Sequence, residues 1–555
     1  MKNPLVYLKP NVVIEPLIDG WYAWTHLVSP ATAAMNITGR HLKIINSYIQ
    51  APQIHEMAVR NPKLLGGPFM DIPATRLDEV KLLKEKTLET RKDMIALSDA
   101  IKELDTMLKT NAKGYSLEPL YEKVPDILKG YVELIYDLNN NPSFRFFEKL
   151  LYKSKFNNKS TQSIALWITE NDERPFVLST PRVESDHEKV VHFEIPFDHQ
   201  FIDVISKMKR NPNSLTAIKQ LISFKNAVQE ELFDNLFTEE APMPYQKYTG
   251  DKARMRYFGH ASILVETKDI SILVDPLVSY YGYQSDVSRF SDFDLPETID
   301  YVLITHNHQD HVLFETLLPL RHRIKNLVVP RTQGGALQDP NLKLALQNIG
   351  FQNVIEIEEM ETITLGNVQI TGIPFIGEHS DLNIQTKICH HVQVDKFSIL
   401  FAADSCNIEN RLYEHIHREI GDIDVIMLGM ECDGAPLSWI YGPLLTEELA
   451  RDKDNSRRLA GSNYERGMNM VKVFNPKEVY VYAMGQEPWL EFISSIKYTE
   501  ESHPIIASNK LIADCHQRGI RSERLFGEKE ILYHIHSQND ECSDIARTNQ
   551  YLQAA

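Results

Sequence analysis

The stretch Thr305-His306-Asn307-His308-Gln309-Asp310-His311 puts four potential metal ligands within six residues. It follows Tyr301-Val302-Leu303-Ile304, an apolar run without helical periodicity that reads as a short buried strand. His306 and His308 alternate, so an extended chain can point both the same way, while Asp310 and His311 lie around the turn and can face a second ion. A short, ligand-dense loop of this kind suits a two-metal centre with ions roughly 3.5–4 Å apart. A lone histidine in a polar loop usually only hydrogen-bonds, but H-x-H-x-D-H is hard to assign to packing.

The rest of the chain must supply the remaining donors. Asp275 closes the strand Ile272-Leu273-Val274 about thirty residues earlier. The strand Phe397-Ser398-Ile399-Leu400-Phe401 runs into Ala402-Ala403-Asp404-Ser405, and a carboxylate at that position can give one oxygen to each of two ions. Gly377-Glu378-His379 offers one further ligand: either Glu378 or His379 qualifies, and adjacent residues usually point apart, so both are not expected. Glu431 follows the strand Asp424 to Met430, where a turn carboxylate and an acid serving the site stand level. His260, alone after a glycine, is expected to be a satisfied core imidazole.

At 555 residues the chain is long enough for two domains or more. Acidic residues outnumber basic ones by 76 to 59, a net charge of −17 that repels phosphate backbones and argues against a nucleic-acid substrate. Five scattered cysteines, Cys389, Cys406, Cys432, Cys515 and Cys542, lack C-x-x-C spacing and suit a reducing cytoplasm better than a disulfide framework or thiolate zinc site. No signal-peptide core or run of about 18 apolar residues is present, so a cytoplasmic protein without membrane attachment is expected.

Residues 1–245 read as a mixed α+β domain, ending near the Pro- and acid-rich Thr238 to Pro244. Within it, Leu77 to Leu108 carries Val80, Leu83, Leu88 and Met94 near helical spacing and predicts one long amphipathic helix. Trp21-Tyr22-Ala23-Trp24 suits core packing or a dimer contact better than a ligand cage. Residues 246–535 open with a meander of short strands and then alternate helix and strand; residues 536–555 are expected to be a flexible tail.

The order meander, H-x-H-x-D-H, ligand loop, A-A-D-S resembles the metallo-β-lactamase superfamily, which implies a C-terminal αββα sandwich with the metal site at one edge. Superfamily members usually bring another histidine from a late strand. The matching stretch here, Val479 to Gly485, has none. With Glu378 counted, the set is three histidines and three carboxylates, an oxygen-rich shell that suits iron in higher oxidation states better than hydrolytic zinc.

Longer motifs sharpen the resemblance. Thr305 to Leu318, Gly377-Glu378-His379, Phe401 to Ser405, Ser438 to Leu444, Ser456 to Leu459, Tyr480 to Trp489 and Gly20-Trp21-Tyr22 are similar to the dinuclear-iron β-hydroxylases of chloramphenicol and other nonribosomal peptide pathways. That resemblance implies His306, His308 and Glu378 on one iron, Asp310 and His311 on the other, and Asp404 between them, and it prefers Glu378 over His379; His379 and Glu431 are then expected only as supporting groups. It implies O2 as co-substrate, an external electron donor, and a nonribosomal peptide synthetase carrier domain bearing an aminoacyl-phosphopantetheine as partner. It also implies that the first domain supports a homodimer. Arg451, Arg457 and Arg458 are candidates for docking an acidic carrier, each weighed against a solvated loop. The competing reading is a metal-dependent hydrolase, a thioesterase or lactonase, because most of the superfamily hydrolyses.

Overall fold

A computed structural model describes residues 5–282, 285–332, 334–535 and 543–544. Two sheets stack in the second half of the chain. The first has eight strands in the order 354–357, 324–330, 299–303, 271–274, 262–266, 253–259, 529–533 and 543–544. The second has seven, in the order 362–365, 368–373, 389–394, 397–401, 425–429, 478–482 and 521–524. Their facing side chains, among them Val265, Val274, Ile370, Val392, Ile399 and Met427, form one buried cluster. The helices Asn410–Ile420, Tyr464–Phe474 and His503–Gln517 cover the outer face of the second sheet through another. This is the expected αββα sandwich.

Strand direction creates the site. The strands 271–274, 299–303 and 324–330 run parallel, as do 397–401, 425–429 and 478–482. Such strands are buried on both faces, which is why they read as continuous apolar runs rather than alternating ones. Their carboxyl-terminal ends emerge at one edge of the sandwich, where Ile388 N–H donates to Thr305 O at 2.7 Å and joins the two sheets.

The N-terminal part builds a four-stranded sheet, 21–22, 12–18, 162–168 and 191–193, and the helix Gln200–Lys207 packs on it through Phe201 against Phe193. Its apolar core continues without a break into the outer face of the first catalytic sheet, joining Ile14, Trp21 and Phe201 to Phe314, Leu317 and Leu346. Arg174 adds a polar joint: it donates to both oxygens of Glu315 at 2.8 and 2.9 Å and to Glu15 at 3.2 Å, all three side chains being buried. Glu315 lies on the helix Phe314–Leu320, directly after the ligand loop, so the N-terminal part braces that loop from behind.

The Trp21 to Trp24 cluster is core, with Trp21 stacked on His41 at 4.0 Å. The single long helix expected over 77–108 is instead two, Leu77–Thr90 and Lys92–Asn111. Arg91 breaks it, at φ −111° and ψ 21°, because its guanidinium is buried in an ion pair with Asp19. Leu88 is exposed accordingly. Residues 239–252 contain neither strand nor helix. Most of the expected tail lies outside the described residues; the backbone of Ser543–Asp544 pairs with the 529–533 strand. Among the described residues, no helix is long and apolar enough to cross a membrane.

Candidate metal centre

Asp275 is the structural pivot of the ligand loop. It is wholly buried and receives hydrogen bonds from Thr305 N–H at 2.8 Å and Thr305 Oγ1 at 2.6 Å. Its Oδ2 also lies 2.8 Å from His311 Nδ1. That contact places the His311 proton on Nδ1 and leaves Nε2 for a metal, 3.1 Å from Asp404 Oδ2. A carboxylate behind a histidine fixes its tautomer and raises its basicity. Asp275→Asn is therefore expected to weaken metal binding roughly 10–100-fold, the usual cost of losing such a partner, as measured by competition with a chromogenic chelator.

His306 is set the same way. Its Nδ1 lies 3.0 Å from Thr305 Oγ1, and its buried Nε2 has no hydrogen-bond partner and points to Asp404 Oδ2 at 3.7 Å. Burial, helped by the neighbouring rings of His311 and His308, holds its pKa well below the usual histidine value, so it stands as a neutral ligand. His308 is turned round: Nδ1 faces Glu378 Oε1 at 2.9 Å, and Nε2 faces the buried Tyr441 hydroxyl at 3.1 Å. Burial pushes the His311 imidazole down, but Asp404 and Asp275 outweigh it and hold it well above the usual range.

The donors fall into three groups, each with its ligand atoms within 4.8 Å of one another: His306, His308, Glu378 and His379; His260, Asp310 and His311; and His306, His311 and Asp404. The third group shares a member with each of the others. Asp404 Oδ1 is buried without a hydrogen-bond partner. Gly429 permits this approach, since a Cβ there would meet Asp404 Oδ1 at 2.8 Å and Ala403 O at 2.5 Å. Buried polar atoms left unpaired are costly, and here they converge. Nitrogen and carboxylate donors of this kind fit a pair of iron ions.

Two sequence expectations change. Glu378 and His379 both turn inward, with His379 Nδ1 2.9 Å from Glu378 Oε2, because Glu378 at φ 64° and Ser380 at φ 55° curl the loop instead of extending it. His260 is not a satisfied core imidazole: buried at φ 51°, it has no hydrogen bond at either ring nitrogen, and its Nε2 lies 3.3 Å from Asp310 Oδ2. The end of the late strand packs on it, Ala483 N–H donating to His260 O at 2.9 Å. His260, Asp275, Glu378, Ala403 and Ala483 all have positive φ, a clustering of backbone strain seen at functional sites.

Glu431 lies outside these donor groups, and its carboxylate accepts from Gly434 N–H at 3.1 and 3.2 Å. Burial raises its pKa to about 7. Arg457 donates to Ser380 O at 2.9 Å and Arg458 to the carbonyls of Asp433 and Gly434, so both brace loops at the rim, while Arg451 is exposed. Tyr441 is the contact that sequence reasoning missed; its only signal was membership of the Ser438 to Leu444 motif.

Residues 7–242 match the diiron non-heme beta-hydroxylase N-terminal domain family, and residues 271–435 match the beta-lactamase superfamily domain. The 4-amino-L-phenylalanyl-(CmlP-peptidyl-carrier-protein) 3-hydroxylase of Streptomyces venezuelae is 36% identical over 526 residues, 93% of this chain and 98% of its own. The chain belongs to the diiron β-hydroxylase family. The crystal structure of CmlA, a diiron β-hydroxylase from Streptomyces venezuelae, superposes on this β-hydroxylase with a TM-score of 0.90 at 34% identity, covering 96% of this chain and 100% of that one. A variant of CmlA superposes with a TM-score of 0.87 over 95% of this chain. The chain is accordingly an enzyme of the β-hydroxylase class on a metallo-β-lactamase fold, as its motifs indicated.

Proposed function

We propose that this β-hydroxylase is an O2-dependent diiron monooxygenase acting on the β-carbon of an amino acid held as a thioester on a nonribosomal peptide synthetase carrier domain. His306, His308 and Glu378 would hold one iron, Asp310 and His311 the other, and Asp404 would serve both. The observation that carries this reading is Asp404, whose Oδ2 lies 3.1 Å from His311 and 3.7 Å from His306 while its Oδ1 has no other partner. The near full-length likeness to a hydroxylase named for a carrier-bound aminoacyl substrate supports the partner.

The iron pair, when bound, supplies reductive O2 activation and hydrogen removal from carbon, with two electrons from an external donor and water as the second product. The chain's own residues prepare the site for that chemistry. Asp275 and Thr305 hold His311 and His306 in the tautomers that present Nε2. Tyr441 fixes His308 with Nδ1 inward, and His379 and His260 stand behind Glu378 and Asp310. Deep burial of the histidines keeps bulk water away from their ring nitrogens.

Turnover under labelled O2 tests the reading against hydrolysis. The label is expected in the product hydroxyl of the carrier-bound amino acid, and only in the presence of a reductant. Release of the free acid without O2 and without label would instead establish a thioesterase. The homodimer implied by the family is checked by sedimentation of the intact chain.

A further inference from the structure

A cleft of about 930 Å3 is lined jointly by residues of the 438–449 segment and by N-terminal residues, Gly39 to Lys102 among them. One wall is formed by Ser438, Trp439, Gly442 and Pro443, which flank the tyrosine that touches His308. Arg40, Lys43 and Lys102 line the same cleft.

Arg40 is the telling residue. Its guanidinium donates to the carbonyls of Trp439 and Ile440, the latter at 3.3 Å, and has no carboxylate partner among the described residues. Burial alone lowers its pKa, to about 10. Arg40 is half-buried at the cleft and lies over the Trp24 ring, and an incoming anion would balance its charge. The cleft's own acids do not serve: Glu447 pairs with Lys109 at 3.0 Å, Asp454 accepts from Ser438 N–H and Oγ at 2.8 and 2.7 Å, and Glu448 is exposed. Lys102 donates to Thr38 Oγ1 at 3.2 Å and has no acid partner among the described residues, and Lys43 is exposed.

The cleft also has an apolar lining that includes Phe176, Leu178 and Trp439. Phe176 stacks with Trp439 at 6.3 Å, and the indole N–H donates to Gly66 O at 2.9 Å. Cations beside an apolar lining in one cleft match a phosphate carrying a slender chain.

We propose that this cleft seats the carrier's phosphopantetheine arm, with Arg40, Lys43 and Lys102 receiving its phosphate and the 438–444 segment guiding the thioester end toward Tyr441. This rests on the function proposed above. Basic recognition is thereby assigned to the N-terminal part, rather than to Arg457 and Arg458, each of which donates to a loop carbonyl.

Titration of the intact enzyme with pantetheine 4′-phosphate tests it. Wild type is expected to bind the probe, and Lys43→Glu with Lys102→Glu is expected to raise its Kd at least ~10-fold at low salt, leaving affinity for unphosphorylated pantetheine unchanged. Circular dichroism checks that the variant folds. In parallel, the variant's KM for the carrier-bound amino acid is expected to rise while kcat is retained. Equal binding of the two probes by wild type, or an unchanged KM in the variant, overturns the cleft assignment while leaving the proposed function standing. Failure of wild type to hydroxylate any carrier-bound amino acid overturns the proposed function itself, whatever the probe does.

Discussion

Replacing Asp404 with alanine is expected to empty both metal positions at once. Asp404 closes the 397–401 strand, and its Oδ2 reaches His311 at 3.1 Å and His306 at 3.7 Å, residues that belong to different donor groups. Removing an ordinary ligand spares the neighbouring ion, but removing this one takes a charge from each. Affinity is expected to fall by more than the ~10–100-fold that follows loss of an outer hydrogen-bond partner, with hydroxylation falling to background. Plasma mass spectrometry of the reconstituted variant is expected to find well under one iron per chain, against two for wild type. The far-ultraviolet spectrum should be unchanged, because no hydrogen bond to Asp404 Oδ1 holds the fold. Retention of one tightly bound ion would remove Asp404 from the bridging position.

How much of this centre could be read beforehand depended on how local each interaction is. The 305–311 loop was legible because its donors are dense and follow an apolar strand. Asp404 was legible because an acid at the end of a buried strand has few bland explanations. His260 was not, since its partner Asp310 is fifty positions away and only the packing of the 253–259 strand in the first sheet brings them together. The inward turn of both Glu378 and His379 depends on left-handed backbone at non-glycine residues, which no spacing argument anticipates. Gly377, at φ 82°, is a partial signal there; a Cβ would meet Cys406 Cβ at 2.5 Å, so only glycine allows the loop to pass. The break at Arg91 and the Tyr441 contact arise from partners 72 and 133 positions distant. Periodicity reported the amphipathic face of 77–108, but a buried ion pair decided where the helix stops.

Glu378→Ala should abolish hydroxylation, whereas His379→Ala should leave measurable turnover. Both side chains face the centre, so proximity does not separate them; their partners do. Glu378 Oε1 lies 2.9 Å from His308 Nδ1 and its Oε2 lies 2.9 Å from His379 Nδ1, which places the carboxylate between the two rings. Burial pushes the Glu378 carboxyl up, but the adjacent imidazoles of His308 and His379 reverse this and hold it well below the usual range, ionised and ready to bind a cation. Losing it removes an anionic ligand and leaves His308 facing an unbalanced site, whereas losing His379 removes one of two groups that orient the carboxylate. A 10–100-fold weakening of metal binding is expected for His379→Ala, in line with supporting partners generally, and a larger one for Glu378→Ala. Iron content and single-turnover product yield, measured on the same preparations, read both effects. If His379→Ala proved the inactive variant and Glu378→Ala kept its iron and turnover, the imidazole would be the ligand, and the oxygen-rich shell from which iron is argued would lose one of its three carboxylates.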